Sequence, residues 1–345
     1  MDKVRLGKTE MVVNKNGFGA LPIQRISVSD AVYLLHKAFD HGIDFYDTAR
    51  FYTDSEEKIG VAFHDRRDKV VIASKTAAVT VDRFWEELDI TLGNLRTDYL
   101  DIYQFHNPAF CPKPGDGTGL YEAMQEAQRQ GKVRFIGISN HRLAVAREAI
   151  SSGLYATLQF PFSYLASDVD ESVVRDCQAA DMGFICMKAM SGGLITDSAL
   201  AYAFLSRYAG VLPIWGIQRE SELDEFLSYQ EHAPIMTDDM RDRIAADKVM
   251  LSGDFCRGCG YCMPCPAGIQ ICDCARMSLF LKRAPESVYV TADWAERMKK
   301  VEECMHCGQC KKRCPYGLDT PELLQRNLDD FRNVWDYEGH CKKTI

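Results

Sequence analysis

Eight short runs of β-branched and aromatic residues, separated by longer stretches of helical period, are the strongest constraint on how this chain folds. They are Gly17 to Ala20, Ile43 to Asp47, Val70 to Lys75, Leu100 to Phe105, Val133 to Ile138, Ala156 to Phe160, Gly183 to Met187 and Val211 to Trp215. Asp30 to Phe39 shows what lies between them: Ala31, Leu34, Leu35 and Ala38 make one apolar stripe, and Gly42 supplies the stop. Such alternation builds βαβ units on a parallel sheet, and eight strands over ~230 residues predict a closed (β/α)8 barrel rather than an open sheet. The opening VRLGKTEMVV reads as a hairpin with a glycine-containing turn, placed across the bottom of that barrel. No GxGxxG stands between a strand and a helix, so a Rossmann-type nucleotide turn is not expected.

The 14 cysteines divide the chain. Only Cys111, Cys177 and Cys186 precede residue 250, and eleven fall between Cys256 and Cys341, which puts a domain boundary near residue 240. The N-terminal MDKVRLGKTEMVVNKNG carries no apolar stretch followed by a small-residue cleavage site, so a cytoplasmic location is expected. In that reducing compartment, clustered thiols serve metals rather than disulfides. The net charge of −8 speaks against a nucleic-acid binder, and the lack of ~18 consecutive apolar residues speaks against a membrane span.

Two runs, CRGCGYCMPCP at 256–266 and CMHCGQCKKRCP at 304–315, carry eight of those cysteines. The second is a full C-x2-C-x2-C-x3-C-P, a spacing that wraps three thiolates round one face of a [4Fe–4S] cube and sends the cysteine before proline to a neighbouring cluster. The first run has only two residues before Cys265, a change that a ligand leaving for the other cluster tolerates. Cys256, Cys259, Cys262 and Cys314 are therefore assigned to one cluster, and Cys304, Cys307, Cys310 and Cys265 to the other. Tetrahedral zinc, and pairing within each run, are the rival arrangements. Cys272, Cys274 and Cys341 are read as buried thiols. Lys311, Lys312 and Arg313 read as a solvated basic turn, with docking of an acidic electron carrier as the alternative.

In a barrel of this kind the chemistry sits at the carboxyl ends of the strands. Asp47 ends IDFYD, Tyr52 follows in DTARFY, Lys75 ends VVIASK and His106 ends LDIYQFH. A single strand-end aspartate or histidine is more often structural than catalytic, and it is the combination that carries weight. Over roughly residues 1–235 the chain resembles the aldo-keto reductase family through LGKTEMVV, GIDFYDTARFYTDSEE, ASKT, DYLDIYQFHNP, IGISN, LQFPFSYL and MKAMSGG. The resemblance implies a TIM barrel that moves hydride between a nicotinamide nucleotide and a small-molecule carbonyl or alcohol, with Asp47, Tyr52, Lys75 and His106 as its catalytic tetrad. Tyr52 would donate the proton, its usual pKa of ~10 lowered by Lys75. Asp47 would hold Lys75, and His106 would hydrogen-bond the substrate oxygen.

The same resemblance implies an extended nucleotide across the strand ends. Ser139, Asn140 and Gln159 would hold its carboxamide, and Met187 would stand where many members stack an aromatic ring. Ser191, Gly192 and Gly193 would approach the pyrophosphate, with Gly216 and Arg219 at the adenosine end. Arg219 would clamp a 2′-phosphate, favouring NADPH over NADH. GIQRESELDEF departs from the family's adenosine segment at Ser221 and Phe226. Residues 236–345 resemble the bacterial two-cluster ferredoxins, a small, mainly α-helical iron–sulfur domain carried by a subset of the family. That implies two [4Fe–4S] clusters and a ferredoxin or flavoprotein electron carrier as partner. Hydride moves two electrons while a cluster moves one, and no flavin motif is present, so the appendage is read as structural ahead of being wired to the barrel. The rival reading is an iron–sulfur electron-transfer or scaffolding protein with a vestigial barrel.

Overall fold

The computed structural model describes residues 2–251, 255–258, 260, 262–283, 289–314, 317–336 and 340–341. The chain divides into two compact units, Met1–Thr237 and Asp238–Ile345.

The first unit is a closed barrel of eight parallel strands: β3 (Gly17–Gly19), β4 (Phe45–Asp47), β5 (Val71–Thr76), β6 (Leu100–His106), β7 (Val133–Ser139), β8 (Thr157–Pro161), β9 (Gly183–Met187) and β10 (Val211–Gly216). β10 closes on β3 through Ile214 opposite Gly17 and Trp215 opposite Phe18. Eight helices alternate with them: α1 (Val28–Asp40), α2 (Ser55–Phe63), α3 (Val81–Leu95), α4 (Leu120–Arg129), α5 (Leu143–Ser152), α6 (Asp168–Ala179), α7 (Ser198–Ser206) and α8 (Glu220–Glu231). Their starts follow the local sequence. Ser27, Thr80, Ser167 and Asp197 each accept a backbone N–H from the first turn of α1, α3, α6 and α7, satisfying donors that a helix end leaves unpaired.

β1 (Lys3–Arg5) and β2 (Val12–Asn14) form the antiparallel hairpin. It lies at the amino ends of the barrel strands, where Val4, Leu6 and Val13 pack with Phe45, Ala73, Ile102, Ile185, Leu212 and Ile214. This plug explains why β4 begins later than its apolar run: Asp44 turns aside to accept the Asn14 N–H at 2.8 Å. Lower in the wall, buried Asp101 accepts Arg67 at 2.7 Å, Arg134 at 2.7 Å and the Ile72 N–H at 2.9 Å, tying β5 to β6.

Gly137 on β7 stands opposite Gln104 on one side and Thr157 on the other. A Cβ there would lie 2.5 Å from Thr157 Oγ1 and 2.9 Å from Gln104 Cγ, so the missing side chain makes room for the Gln104 amide to cross the barrel. Gly137→Ala is expected to cost about 1–3 kcal/mol in urea unfolding through overpacking; an unchanged midpoint would show that the wall yields freely.

In the second unit, helices Asp238–Leu251, Ile271–Cys274, Met277–Arg283, Ala292–Lys299, Gln309–Arg313 and Thr320–Val334 are followed by a two-stranded ribbon, Trp335–Asp336 with His340–Cys341. Ile269, Ile271, Met277, Met298, Leu324, Leu328 and Phe331 are its buried centre. Asn327 joins two of the helices, accepting the Ser278 N–H at 2.7 Å. Among the described residues no helix is long and apolar enough to cross a membrane.

Candidate active site and cysteine cavities

At the carboxyl ends of β4 and β5, buried Lys75 donates to both oxygens of Asp47 at 2.8 Å and to the Thr48 carbonyl at 2.6 Å. All three ammonium protons are thereby satisfied. Tyr52 rides on the loop after β4, which is fixed from several sides. Thr48 Oγ1 meets Ser55 Oγ at 2.9 Å, and Ser55 Oγ donates to the Ala20 carbonyl at 2.9 Å. Arg50 pairs with buried Glu56, which also accepts Ser74 Oγ at 2.7 Å and Thr91 Oγ1 at 2.9 Å. The Tyr52 ring lies with its centroid 5.2 Å from Lys75 Nζ and meets the His106 ring edge-on at 5.9 Å. The four residues thus converge.

The electrostatics correct one expectation. Burial raises the Tyr52 pKa above its ordinary value, and Lys75, which was expected to lower it, does pull it down but offsets the rise only in part. Burial also pushes Asp47 up against the opposing pull of Lys75. His106 is pushed down to about 3, first by burial and then by Lys75, so its imidazole is neutral at ordinary pH. Because the folded value lies below the unfolded one near ~6.5, the stability that neutral His106 contributes is complete above that pH and is lost as pH falls from ~6.5 toward 3. His106→Asn is expected to lose less stability than the parent between pH 7 and pH 5. Parallel declines in urea titrations would contradict a buried neutral ring.

Gln159, on β8, is already engaged at both ends of its amide: Nε2 donates to Asp47 at 3.3 Å and Oε1 accepts Gln104 Nε2 at 2.8 Å. Asn140 likewise donates to the Pro108 carbonyl at 2.8 Å and accepts the Arg142 N–H at 2.7 Å, so it braces the loop after β7 and keeps one hydrogen and one lone pair for a ligand. Ser139 ends β7 and is buried beside it. Met187 ends β9, and beyond it Ser191, Gly192 and Gly193 all have positive φ, while Ser191 Oγ meets Ser163 Oγ at 2.8 Å. Gly216 ends β10, its missing Cβ facing Pro22. Arg219 precedes α8, is 70% exposed at its side chain, and forks onto Glu222 through Nε at 2.9 Å and Nη2 at 2.6 Å.

Sequence reasoning passed over Gln104, whose only signal is an amide inside an apolar strand two residues before His106. It also passed over His141, which follows GISN. Nδ1 of His141 and Nδ1 of His106 are both buried and have no hydrogen-bond partner among the described residues.

The second unit holds two cysteine-walled cavities. One, about 380 Å³, is lined by Cys304, Cys307, Cys310 and Cys265, and by Cys262, which also lines the second, among Pro266, Ile269, Ile271 and Leu324. The other, about 340 Å³, is lined by Cys256, Cys262 and Cys314, with Arg257, Leu318 and Leu323. Cys265 thus stands with the second run and Cys314 with the first. Cys259 lies outside the described residues. The donors are thiols set in apolar walls, a lining that suits an iron–sulfur cube. Cys272 departs from the buried-thiol expectation, because it is half-buried and on the wall of the smaller cavity. Cys274 fits it: fully buried, its thiol faces the Arg297 carbonyl at 3.5 Å and is pushed up to about 12 by burial. The Cys341 side chain lies outside the described ones.

A closed parallel barrel with this Lys–Asp pair, tyrosine and histidine at its carboxyl face is the architecture of a barrel oxidoreductase. The chain belongs to the aldo/keto reductase family, whose model matches residues 15–200. It also carries a 4Fe-4S dicluster domain, matched over residues 255–319. L-galactose dehydrogenase of Arabidopsis thaliana is 28% identical over 211 residues, covering 56% of this chain and 66% of that protein. Aldo-keto reductase YhdN of Bacillus subtilis is 30% identical over 180 residues, covering 48% of this chain and 54% of that one. The chain thus spans just under two thirds of the length of the first relative and about half of the second. In structure it resembles an aldo-keto reductase from Klebsiella pneumoniae solved in complex with NADPH, with a TM-score of 0.62 and 22% identity over 71% of this chain and 94% of that one.

Proposed function

We propose that this chain reduces an aldehyde or ketone to the alcohol with NADPH, or runs the reverse oxidation, and that its second unit holds two [4Fe–4S] clusters. The observation that carries the reading is the convergence of Tyr52 and His106 on the buried Lys75–Asp47 pair. A nucleotide fits the residues present. Ser139, Asn140 and Gln159 offer the amide and hydroxyl groups that a carboxamide needs, and the positive-φ segment Ser191–Gly193 exposes backbone to a pyrophosphate. Bound NADPH supplies the hydride.

The chain's own residues supply the rest. Tyr52 holds its proton at Oη until negative charge develops on the substrate oxygen, and Lys75 lowers the cost of releasing it. Asp47 pairs with Lys75 and keeps it in place. Neutral His106 acts as a hydrogen-bond donor to that oxygen rather than as an acid. Cys256, Cys259, Cys262 and Cys314 are assigned to one cluster, and Cys265, Cys304, Cys307 and Cys310 to the other.

Purified anaerobically and offered a carbonyl panel, the protein is expected to consume NADPH in proportion to alcohol formed. No turnover and no nucleotide binding would reject the reading. Arg219→Ala is expected to weaken NADPH by about 10-fold and NADH much less, since only NADPH carries the 2′-phosphate that would draw Arg219 from Glu222. Equal losses for the two nucleotides would leave Arg219 as a residue of the helix start alone.

A further inference from the structure

We propose that the basic rim beside Cys304, Cys307 and Cys310 is the docking face for an acidic one-electron carrier. The inference rests on the [4Fe–4S] reading above and goes past it, naming the face and the charge of the partner.

The described residues of the two walls differ in exposure. The wall built from the second run includes exposed Cys307 and Met305, the latter 61% exposed, whereas Cys256 on the other wall is buried, as is Cys262, which lines both cavities. Electron transfer falls off steeply with distance, so an exposed ligand marks the shorter route to a partner.

Charge gives that route a sign. Between Lys299 and Cys314 the chain carries five basic and two acidic side chains, in a protein of net charge −8. Both acids are already matched: Glu303 pairs with Lys300 at 2.6 Å, and Glu302 with Arg332 at 2.7 Å. Lys311, Lys312 and Arg313 are exposed on the same short helix as Cys310, which lines the cavity. Lys311 is paired with Asp319, which leaves the positive side in excess. Lys300 reaches over the Cys265 loop, its Cε 3.6 Å from where a Gly268 Cβ would stand. A positive rim on an acidic protein steers an acidic partner to one place and turns a basic one away.

The transfer is of one electron. The reduced carrier loses it and an oxidised cluster gains it, or the reverse, with no bond made or broken.

The test uses the full-length, anaerobically loaded protein, with flavodoxin as the acidic probe and cytochrome c as the basic one. Binding is measured by titration and electron exchange by stopped flow. The parent is expected to bind flavodoxin at low ionic strength and to lose it as salt rises toward ~0.15 M. Lys311→Glu with Lys312→Glu and Arg313→Glu should weaken flavodoxin binding and slow its electron exchange by at least about 10-fold, with iron content unchanged, and should improve cytochrome c. Should the triple variant lose iron, Lys312→Glu alone is expected to weaken flavodoxin about 3-fold. Iron-loaded variants that treat both carriers as the parent does would overturn the docking face. Parent protein without iron would instead overturn the cluster reading itself.

Discussion

Tyr52→Phe is expected to lower turnover by about 100-fold or more while NADPH still binds with nearly its original affinity. The substitution removes only the hydroxyl. The ring that meets His106 at 5.9 Å and lies 5.2 Å from Lys75 Nζ remains, so the loop keeps its packing. What is lost is a proton donor beside a fixed positive charge, and a 100-fold loss corresponds to about 2.7 kcal/mol of transition-state stabilisation. Changing Lys75 instead would be harder to interpret, because buried Asp47 would be left without its counter-charge at a cost of about 3–5 kcal/mol in folding. Steady-state rates with a separate nucleotide titration make the check. A rate equal to the parent's would remove Tyr52 from the mechanism.

Cys310→Ala is expected to halve the iron, from about eight to about four atoms per chain, in protein purified without oxygen. Cys310 lines the larger cavity and is buried in the core of its unit, so the variant should lose one paramagnetic signal and also unfold more readily. Cys314→Ala offers the complementary result. Its sulfur lines the cavity of Cys256 and Cys262, so the signal it disturbs should be the one that Cys310→Ala leaves intact. If both variants erase the same signal, ligand exchange between the runs is wrong. Stoichiometric zinc in place of iron would remove the clusters altogether.

The eight strands were legible because each is a short β-forming run closed by a turn, and the hairpin because its glycine falls between two apolar segments. Asp47, Tyr52, Lys75 and His106 were legible as a set because they lie at or just beyond strand ends and fall within the words that resemble the family. Gln104 was not. Its importance comes from standing opposite Gly137 and reaching Gln159 across the barrel, a relation among three strands that no local pattern records. The direction of the Tyr52 shift was hidden for a related reason: sequence names the neighbouring lysine but not how much water burial removes. Cys272 was misjudged because its cavity wall is assembled from segments some forty residues apart.

The hairpin at the barrel floor sets an order of events. Gly7 bridges to Met182, and Arg5 pairs with Asp181, a partner 176 positions further along the chain. Without β9, Val4 and Leu6 lack part of the floor they seal, since Ile185 packs with them beside Phe45, Ala73 and Ile102. Contacts that span so much sequence form late, so the hairpin is expected to be among the last parts to be locked, and substitutions in it are expected to act on the final closing step more than on the assembly of the strands.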